Sequence, residues 1–344
     1  MTGAVIEQVT DFLDRRKYMK IFMYSCKADE QVILPDICKQ YKVEIGFCET
    51  QPSEENIELA KGYDCVSMVG TILDNAVMDA LKEMGIHFIS TRSIGTDHLD
   101  IAHAKEIGMQ MAHIVYSPNA IADFAIMLML MSLRKAKYIM KRYEVRDYEL
   151  GCNQGRELRN MTVGVVGTGR IGRTVMKQIS GFGCKILAYD VYENEETKLY
   201  ATYVPYEEIL QKCDVITFHL PATEETHHML NTENVMDLKP GVVLINTARG
   251  SLLDNKALIL GIEANLIGAV GMDVIDHEPA LYNYDHKLER LEDHDAIVLE
   301  SFPNVILTPH TAFYTDQAIY DMVENSVRTC CQYGSGEKID WQIA

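Results

Sequence analysis

The chain has few features that would attract it to a nucleic acid or a membrane. Its 344 residues include 32 lysines and arginines against 50 aspartates and glutamates, which gives a formal net charge of −18. A field of that sign repels phosphate, so nucleic acids and acidic lipid surfaces are poor partners. The most apolar stretch, Ala120 to Leu133, contains Asp123 and is too short to span a bilayer. The sequence therefore predicts no nucleic-acid partner and no membrane partner.

Cysteine motifs are also missing. The nine cysteines are scattered, none forms a C-x-x-C pair, and no group of cysteine and histidine has the spacing of a zinc site. An odd number of scattered thiols is typical of proteins in the reducing cytosol. The acidic residues Glu7, Asp11 and Asp14 are unlike the start of a signal peptide. We therefore expect a cytoplasmic protein without a bound metal.

The order of the elements predicts two α/β domains. The length allows about two domains, each with its own core. Strand candidates alternate with helical stretches, as in parallel sheets covered on both faces. The first run has strands at 20–24, 43–47, 65–69 and 87–91 and helices at 29–40, 54–61 and 75–84; the second has strands at 162–166, 185–189, 214–219, 242–246, 269–273 and 305–308. The predicted fold class is α/β, with two doubly wound parallel-sheet domains and a cleft between them.

The segment Tyr116–Ile121 marks the predicted boundary between the domains. Pro118, with Ser117 as cap, is a plausible start of a long helix that runs to about Tyr143. This helix is apolar nearly all round, so it needs burial on more than one side, either between domains or against a second subunit. The predicted division is an N-terminal extension at 1–18, one domain at 19–115 plus 311–344, and a second domain at 116–310.

A glycine-rich turn follows the first strand of the second domain. Gly167, Gly169 and Gly172 lie between an apolar strand and a helical segment, and Asp190 ends the next strand. This is the fingerprint of a dinucleotide site, in which the turn and the helix N-terminus hold the pyrophosphate. Asp190 would accept hydrogen bonds from the adenosine ribose and repel a 2′-phosphate, so the predicted cofactor is NAD rather than NADP.

Three ionisable residues follow later strands, at the sheet edge where α/β proteins place their ligands. They are Arg249, Glu278 and His310. Arg249 can hold a carboxylate and polarise a neighbouring ketone, and His310 can give a proton to the ketone oxygen. A carboxylate at Glu278 would stabilise the imidazolium form, although Asp276 is a nearby alternative. The set suits hydride transfer between a nicotinamide and a 2-oxo acid.

A loop in the first domain offers a further anion site. Ser93, Ile94 and Gly95 follow a strand and precede a helix, so their backbone N–H groups could face a carboxylate. An ordinary strand-to-helix turn would contain the same residues. The local sequence leaves both interpretations open.

These motifs together resemble the D-isomer-specific 2-hydroxyacid dehydrogenases. The resemblance rests on Gly-Thr-Gly-Arg-Ile-Gly, Asn-Thr-Ala-Arg-Gly, Asp-Val-x-x-x-Glu and Thr-Pro-His-Thr-Ala-Phe-Tyr-Thr, and it covers the chain from Met19 onward. It implies a flavodoxin-like substrate domain, a Rossmann NAD-binding domain, and an NAD-dependent oxidoreductase that forms a homodimer through the helix after Pro118. The stretch Leu281–His286 resembles an insertion of D-lactate and D-2-hydroxyisocaproate dehydrogenases. The segments Ile89–Gly95 and Val115–Asn119 look closest to the D-lactate dehydrogenases of vancomycin-resistance operons.

The resemblance also implies roles for particular residues. Arg249, Glu278 and His310 would be catalytic, the amides of Ile94 and Gly95 would bind the substrate carboxylate, and Tyr116 and Phe313 would line the side-chain pocket. The residues implied to contact the cofactor are Gly167, Thr168, Gly169, Arg170, Ile171, Gly172, Asp190, His219, Pro221, Thr247, Ala248 and Asp273.

Three functions remain open on the sequence. The leading one is the NADH-dependent reduction of pyruvate or a similar short 2-oxo acid, as in a D-lactate dehydrogenase. A D-2-hydroxyisocaproate or aryl-lactate dehydrogenase is the alternative, because this chain has Met68-Val69-Gly70 where many lactobacillar D-lactate enzymes have a Tyr-Gln pair, which leaves the pocket size and the preferred 2-oxo acid open. The third is an NAD-sensing protein like the corepressors of the family, since a fold alone does not fix a function.

Overall fold

The computed structural model describes residues 18–70, 72–276, 278, 286–287 and 293–344. Nearly all of the expected N-terminal extension, and residues 281–285 of the expected insertion, lie outside the described residues. The chain divides into two compact units. One comprises the chain up to Ser117 together with Thr315–Ala344, and the other comprises Pro118–Tyr314.

The first unit is built on a five-stranded parallel sheet. Its strands are β1 (Met19–Met23), β2 (Val43–Phe47), β3 (Cys65–Met68), β4 (Phe88–Thr91) and β5 (Gln110–Ala112). They pair in the order β2-β1-β3-β4-β5, which is the flavodoxin-like order. Every residue of β3 and β4 is buried, because helices cover both faces. The helices before the second unit are α1 (Ala28–Tyr41), α2 (Asn75–Glu83) and α3 (Ile101–Ile107).

The second unit has a seven-stranded parallel sheet. Its strands are β6 (Thr162–Val166), β7 (Lys185–Tyr189), β8 (Thr202–Tyr203), β9 (Val215–Phe218), β10 (Val242–Asn246), β11 (Ile267–Met272) and β12 (Val305–Leu307). Its helices are α4 (Asn119–Leu133), α5 (Ala136–Glu144), α6 (Arg170–Ser180), α7 (Tyr206–Lys212), α8 (Asn255–Glu263) and α9 (His294–Ser301). The strand order β12-β11-β10-β9-β6-β7-β8 reverses direction between β6 and β9. Ligands of such sheets bind beyond the carboxyl ends of the strands at this reversal.

After β12 the chain returns to the first unit as α10 (Asp316–Ser335). This helix packs on the face of the first sheet that α1 also covers, where Val323 and Val327 join Ile21, Met23 and Phe88 in one buried cluster. Within the described ranges, no helix combines the length and the apolar character that crossing a bilayer requires. The prediction of two doubly wound parallel-sheet domains is confirmed.

The predicted long helix from Pro118 to Tyr143 was wrong in one respect, because it is two helices. α4 ends at Leu133, and Lys135 takes a left-handed conformation with φ of 54°. The carbonyl of Leu133 accepts a hydrogen bond from the amide of Arg156 at 2.9 Å. Gly155 passes so close that a Cβ there would lie 2.8 Å from the Leu133 oxygen. This contact with a distant segment replaces the next helical hydrogen bond and ends the helix.

The predicted helix at 54–61 was also wrong. Only the 3-10 turn Ile57–Ala60 forms. The side-chain oxygen of Asn56 accepts from the amide of Ser53, and its side-chain NH₂ donates to the carbonyl of Gln51. These local bonds compete with helix formation. Two short strands, β5 and β8, were not predicted at all.

Candidate active site

The glycine turn after β6 has the geometry of a phosphate-binding loop. Gly167 has a φ of 97°, and a Cβ there would lie 2.7 Å from the carbonyl of His219. A Cβ on Gly172 would lie 2.0 Å from the Gly167 oxygen, so both positions require glycine. At Gly169 a Cβ would meet nothing within 4 Å. Because α6 begins at the next residue, Arg170, its first amides and the positive end of its dipole face this open space.

Asp190 follows β7 and is held by the same turn. Its Oδ2 accepts hydrogen bonds from the amide and the hydroxyl of Thr168, at 2.6 and 3.1 Å. Its Oδ1 accepts one from the amide of Tyr192 at 3.1 Å. The carboxylate is therefore fixed beside the glycine turn, where a dinucleotide places its adenosine ribose.

Two buried polar atoms near this edge have no partner among the described residues. They are Nδ1 of His219, just after β9, and Oγ1 of Thr247, just after β10. Burial lowers the pKa of His219 to about 3, so its ring is neutral, and its Nε2 bonds to the hydroxyl of Thr217 at 2.9 Å. A buried polar atom without a partner is costly unless a ligand satisfies it. Both atoms, together with the open space at Gly169, fit a bound dinucleotide.

Arg249 is positioned by the buried side chain of Asn246 at the end of β10. The amide oxygen of Asn246 accepts from the backbone of Ala248 at 3.0 Å, and its NH₂ donates to the carbonyl of Arg249 at 2.8 Å. Gly250 allows the turn to pack against Ile275, since a Cβ there would lie 2.0 Å from the Ile275 carbonyl. Asn246 was not among the predicted site residues, although it lies in the motif that identified Arg249.

Glu278 and His310 are brought into contact. Nδ1 of His310 hydrogen-bonds to Oε1 of Glu278, which leaves Nε2 as the ring nitrogen available for proton transfer. Asp276, the alternative partner, bonds instead to Nε2 of His228 at 2.9 Å. Arg249, Glu278 and His310 follow the carboxyl ends of β10, β11 and β12, which are adjacent in the sheet.

Asp273 braces the turn that carries His310. Its carboxylate is fully buried and accepts hydrogen bonds from the hydroxyl of Thr308 at 2.6 Å, the amide of Thr311 at 2.9 Å and the amide of Ala312 at 2.7 Å. Burial raises the pKa of Asp273, and these donors oppose that shift. His310 itself adopts a left-handed conformation with φ of 51° and donates its amide to the Asp273 carbonyl. The buried acid thus stabilises a strained turn.

The remaining predicted cofactor neighbours lie at the same edge of this unit. Ile171 is half-buried in the first turn of α6, Ala248 is half-buried before Arg249, and Pro221 is exposed after β9. Phe313 is half-buried, and its ring contacts that of His310 with 6.2 Å between the centroids. The cofactor contacts themselves stay predictions.

In the first unit, Ile94 and Gly95 lie in a loop held by side chains. The hydroxyl of Ser93 donates to the Gly95 carbonyl at 2.8 Å and lies 2.8 Å from the hydroxyl of Thr91. Among the described residues, the amides of Ile94 and Gly95 have no hydrogen-bond acceptor. Tyr116 is half-buried near the end of this unit. The loop therefore presents two backbone donors to a possible ligand.

Arg92, directly before this loop, was not predicted to matter. Its side chain is fully buried and pairs with Glu30, with 2.7 Å between Nε and Oε1. The guanidinium also donates to the hydroxyl of Ser67 and the carbonyl of Tyr24, each at 2.9 Å. It therefore ties together the carboxyl ends of β1, β3 and β4. No local signal distinguishes this arginine from an exposed one, because its partners are more than twenty residues away.

Comparisons with known proteins agree with this geometry. Residues 126–312 match the family described as D-isomer specific 2-hydroxyacid dehydrogenase, NAD binding domain. The chain is 36% identical to a D-specific alpha-keto acid dehydrogenase of Enterococcus faecium, over 91% of this chain and 96% of that protein. It is 38% identical to an aromatic 2-oxoacid reductase of Clostridium sporogenes, over 89% and 93%.

A solved structure is similar over nearly the whole chain. The crystal structure of a D-lactate dehydrogenase from Treponema pallidum superposes with a TM-score of 0.88 at 30% identity, covering 95% of this chain and 100% of that one. The sequence and structure comparisons thus agree on the family. The chain belongs to the NAD-dependent D-isomer-specific 2-hydroxyacid dehydrogenases, a family of oxidoreductases.

Proposed function

We propose that this protein is a D-lactate dehydrogenase, which reduces pyruvate or a similar short 2-oxo acid to the (R)-2-hydroxy acid with NADH. The observation that carries the proposal is the hydrogen bond between His310 and Glu278, at the strand edge that also holds Arg249. An imidazole with a carboxylate behind it and a guanidinium on the same edge can donate a proton to a ketone whose carboxylate is bound.

Arg249 orients the substrate. Its planar guanidinium matches a carboxylate, and the donors that remain can polarise the adjacent ketone oxygen. Asn246 fixes the backbone on both sides of it, so little ordering is required when the substrate binds.

His310 supplies the proton. Glu278 accepts the hydrogen bond of Nδ1, so the proton on Nε2 goes to the ketone oxygen as that oxygen gains negative charge. NADH, when bound, supplies the hydride to the carbonyl carbon. The C=O double bond thus becomes a CH–OH group, and neutral His310 regains its proton from water.

The proposed cofactor contacts use three features of the second unit. The turn Gly167–Gly172, with Thr168, Arg170 and Ile171, holds the pyrophosphate, and Asp190 accepts from the ribose. His219 and Thr247 each have one buried polar atom without a partner among the described residues, and with Pro221 and Ala248 they would contact the nicotinamide half. Asp273 would lie behind them, where it holds the His310 turn.

A larger substrate is the second candidate. This chain has Met68-Val69-Gly70 where many lactobacillar D-lactate dehydrogenases have a Tyr-Gln pair, so its preferred substrate can differ in size from theirs. A relative from Clostridium sporogenes, 38% identical to this chain, is named an aromatic 2-oxoacid reductase. Each methylene changes the preference by only about 1–3 kcal/mol.

We also propose a homodimer formed through the helix after Pro118. One side of α4 is buried, but Met127 is 39% exposed, and five apolar side chains on α5 and just after it are more exposed still. These are Met140, Tyr143, Val145, Tyr148 and Leu150, with exposures from 61% to 85%. A surface of that kind marks an interface. Light scattering should give twice the chain mass, and Met140→Glu together with Tyr143→Glu should give the monomer mass.

A cytoplasmic location is part of the same proposal. All nine cysteines, each within the described residues, are unpaired. Free thiols at these positions fit a reducing compartment.

The proposed reaction is tested by an NADH-oxidation screen. The substrates are pyruvate, 2-oxobutyrate, 2-oxoisocaproate, phenylpyruvate and hydroxypyruvate, and the handedness of each product is determined. The expected result is rapid turnover of pyruvate with an (R) product. The highest kcat/KM on phenylpyruvate would establish the aryl alternative. NADH binding without turnover of any 2-oxo acid would favour the sensor protein and contradict the proposed reaction.

A further inference from the structure

A series of three hydrogen bonds leads to the carboxylate of Asp190. The amide of Asn194 donates to the hydroxyl of Tyr203 at 2.9 Å. That hydroxyl donates to Oγ1 of Thr168 at 2.8 Å, and the Thr168 hydroxyl donates to Oδ2 of Asp190 at 3.1 Å. Each hydroxyl accepts one bond and donates one, so all the protons point toward the carboxylate. Such chains polarise their members and strengthen the last bond.

These hydrogen bonds leave the Asp190 carboxylate with one defined acceptor position. Oδ2 has both of its lone pairs occupied by Thr168, and Oδ1 uses one for the amide of Tyr192. A carboxylate has about four acceptor positions, so the remaining one lies on Oδ1. It accepts one hydroxyl of a ribose and has no proton to offer to a phosphate.

The segment around this acceptor carries little free positive charge. Asp190, Glu193, Glu195 and Glu196 lie within seven residues. Lys198 pairs with Glu193 and Glu195 at 3.0 and 2.8 Å. Arg173 donates to the Thr168 carbonyl and pairs with Glu196. A 2′-phosphate needs a nearby arginine. The carboxylates of this segment would instead repel its negative charge.

Tyr203, on β8, links the glycine turn to the acidic segment after Asp190. This two-residue strand pairs with β7, with Tyr203 opposite Ala188, two residues before Asp190. Its hydroxyl joins Thr168, on the glycine turn, to Asn194, in the acidic segment. Without it, the Asn194 amide loses this hydrogen bond, and Arg173 still links Glu196 to the Thr168 carbonyl.

We propose that Tyr203 is a positioning residue that sets the preference for NAD over NADP. It does so by fixing Asp190 and the acidic segment where they accept a ribose hydroxyl and exclude a 2′-phosphate. This inference rests on the proposed contact between Asp190 and the ribose. Tyr203 itself lies behind Asp190 and acts through Thr168.

The test compares Tyr203→Phe with the matched control Tyr206→Phe. Tyr206 lies three residues away, and its hydroxyl donates to the Met229 carbonyl at 3.2 Å, apart from Asp190. For each protein, kcat/KM is measured with NADH and NADPH at a fixed 2-oxo acid, and the Kd of both nucleotides is measured by calorimetry. Tyr203→Phe should lower the NADH/NADPH preference roughly 3- to 10-fold, the worth of one hydrogen bond. The loss should fall on KM and Kd rather than on kcat, and Tyr206→Phe should keep the wild-type preference.

Two further variants separate the inference from the proposed function. Asp190→Ala should lower the preference more than Tyr203→Phe, and the double variant should lower it by less than the product of the two single effects, because part of the Tyr203 effect passes through Asp190. If Asp190→Ala leaves the preference unchanged, the ribose contact itself is wrong. If Asp190→Ala lowers it while Tyr203→Phe does not, or if both phenylalanine variants lower it equally, the role of Tyr203 is overturned. The calorimetric Kd values for NADH and NADPH test the same preference even in a variant that has no measurable turnover.

Discussion

Arg92 and Arg249 each follow a parallel strand at its carboxyl end, yet the two units use them differently. The Arg92 side chain has no exposed surface, and its guanidinium is committed to Glu30, Ser67 and backbone carbonyls of its own unit. Arg249 is half-buried, and the polar brace beneath it, Asn246, bonds to its backbone instead of its guanidinium. The first arrangement joins the ends of several strands, whereas in the second Nη1 of Arg249 donates to the carbonyl of its neighbour Ala248 at 2.8 Å.

The difference shows what makes a charged residue after a strand a site residue. Position alone does not decide it, since both arginines have that position. The two arginines differ in burial and in the reach of their hydrogen bonds, because Arg92 is fully buried and bonds to distant strands, whereas Arg249 is half-buried and bonds to the neighbouring Ala248. His310 is likewise only partly buried: Asp273 holds its turn, and Glu278 bonds to its ring.

The largest effect should come from His310. His310→Ala removes the proton donor, so kcat should fall about 10²- to 10⁴-fold, while the Kd for NADH and the melting temperature stay near the wild-type values. His228→Ala, which removes the imidazole bonded to Asp276, is the matched control and should keep most of the activity. Equal losses in both variants would show that a histidine at this edge serves stability rather than proton transfer.

The two arginines should separate activity from stability. Arg249→Gln should lower kcat/KM about 10²- to 10³-fold, the effect of losing a donor to the reacting oxygen, with little change in the free energy of unfolding. Arg92→Gln leaves buried Glu30 without its cation, so it should cost about 3–5 kcal/mol of unfolding free energy. Urea denaturation and steady-state kinetics on both variants measure the contrast. It fails if Arg249→Gln destabilises the fold as much as Arg92→Gln.

A smaller difference is expected between the two carboxylates after β11. Glu278→Gln removes the carboxylate charge beside the His310 ring, so kcat should fall about 10- to 100-fold. Asp276→Asn alters the pair with His228 and should keep most of the wild-type kcat. Steady-state kinetics distinguish the two, and a loss of kcat only in Asp276→Asn would reverse the assignment.

The smallest effect concerns stability at acidic pH. His219 has its pKa lowered to about 3 by burial, so the unfolded chain binds a proton there before the folded one does. Stability from this residue is present above about pH 6.5 and is lost as the pH falls toward 3. At pH 5 the wild type, without cofactor, should have lost about 2 kcal/mol that His219→Gln does not lose. Urea denaturation at pH 7 and pH 5 measures this, and parallel losses would contradict the burial of the imidazole.

Much of the fold could be predicted because its signals are local. The strands at 43–47, 162–166, 185–189 and 242–246 were predicted with the bounds that the structure gives. Each is a short apolar run between turn residues, and this pattern needs no knowledge of the rest of the chain. The same holds for the glycine turn at 167–172 and for the alternation that predicts parallel sheets.

The errors arose where distant contacts override the local pattern. The helix after Pro118 ends at Leu133 because the amide of Arg156 donates to the Leu133 carbonyl. The pattern of apolar residues at 119–143 gives no sign of that contact. β5 is only three residues long, and the C-terminal Ala344 accepts the amide of Met111. The two-residue strand β8 has too few residues to show an alternation.

In the candidate site too, residues with a local signal were predicted and residues that depend on distant contacts were not. The residues Arg249, Glu278 and His310 stand out because their types and strand-end positions suit one reaction. Asn246, Arg92 and Tyr203, which hold other parts of the structure in place, could not be singled out. Each acts through hydrogen bonds that the sequence does not display, and for Arg92 and Tyr203 some of these cross twenty residues or more.

The most direct test is a crystal structure of the enzyme with NADH and oxamate, an unreactive analogue of pyruvate. The account predicts that Nε2 of His310 and a guanidinium nitrogen of Arg249 both lie within about 3 Å of the oxygen that replaces the ketone. Glu278 should remain bonded to Nδ1. An oxamate bound with that oxygen out of reach of either side chain would contradict the proposed mechanism.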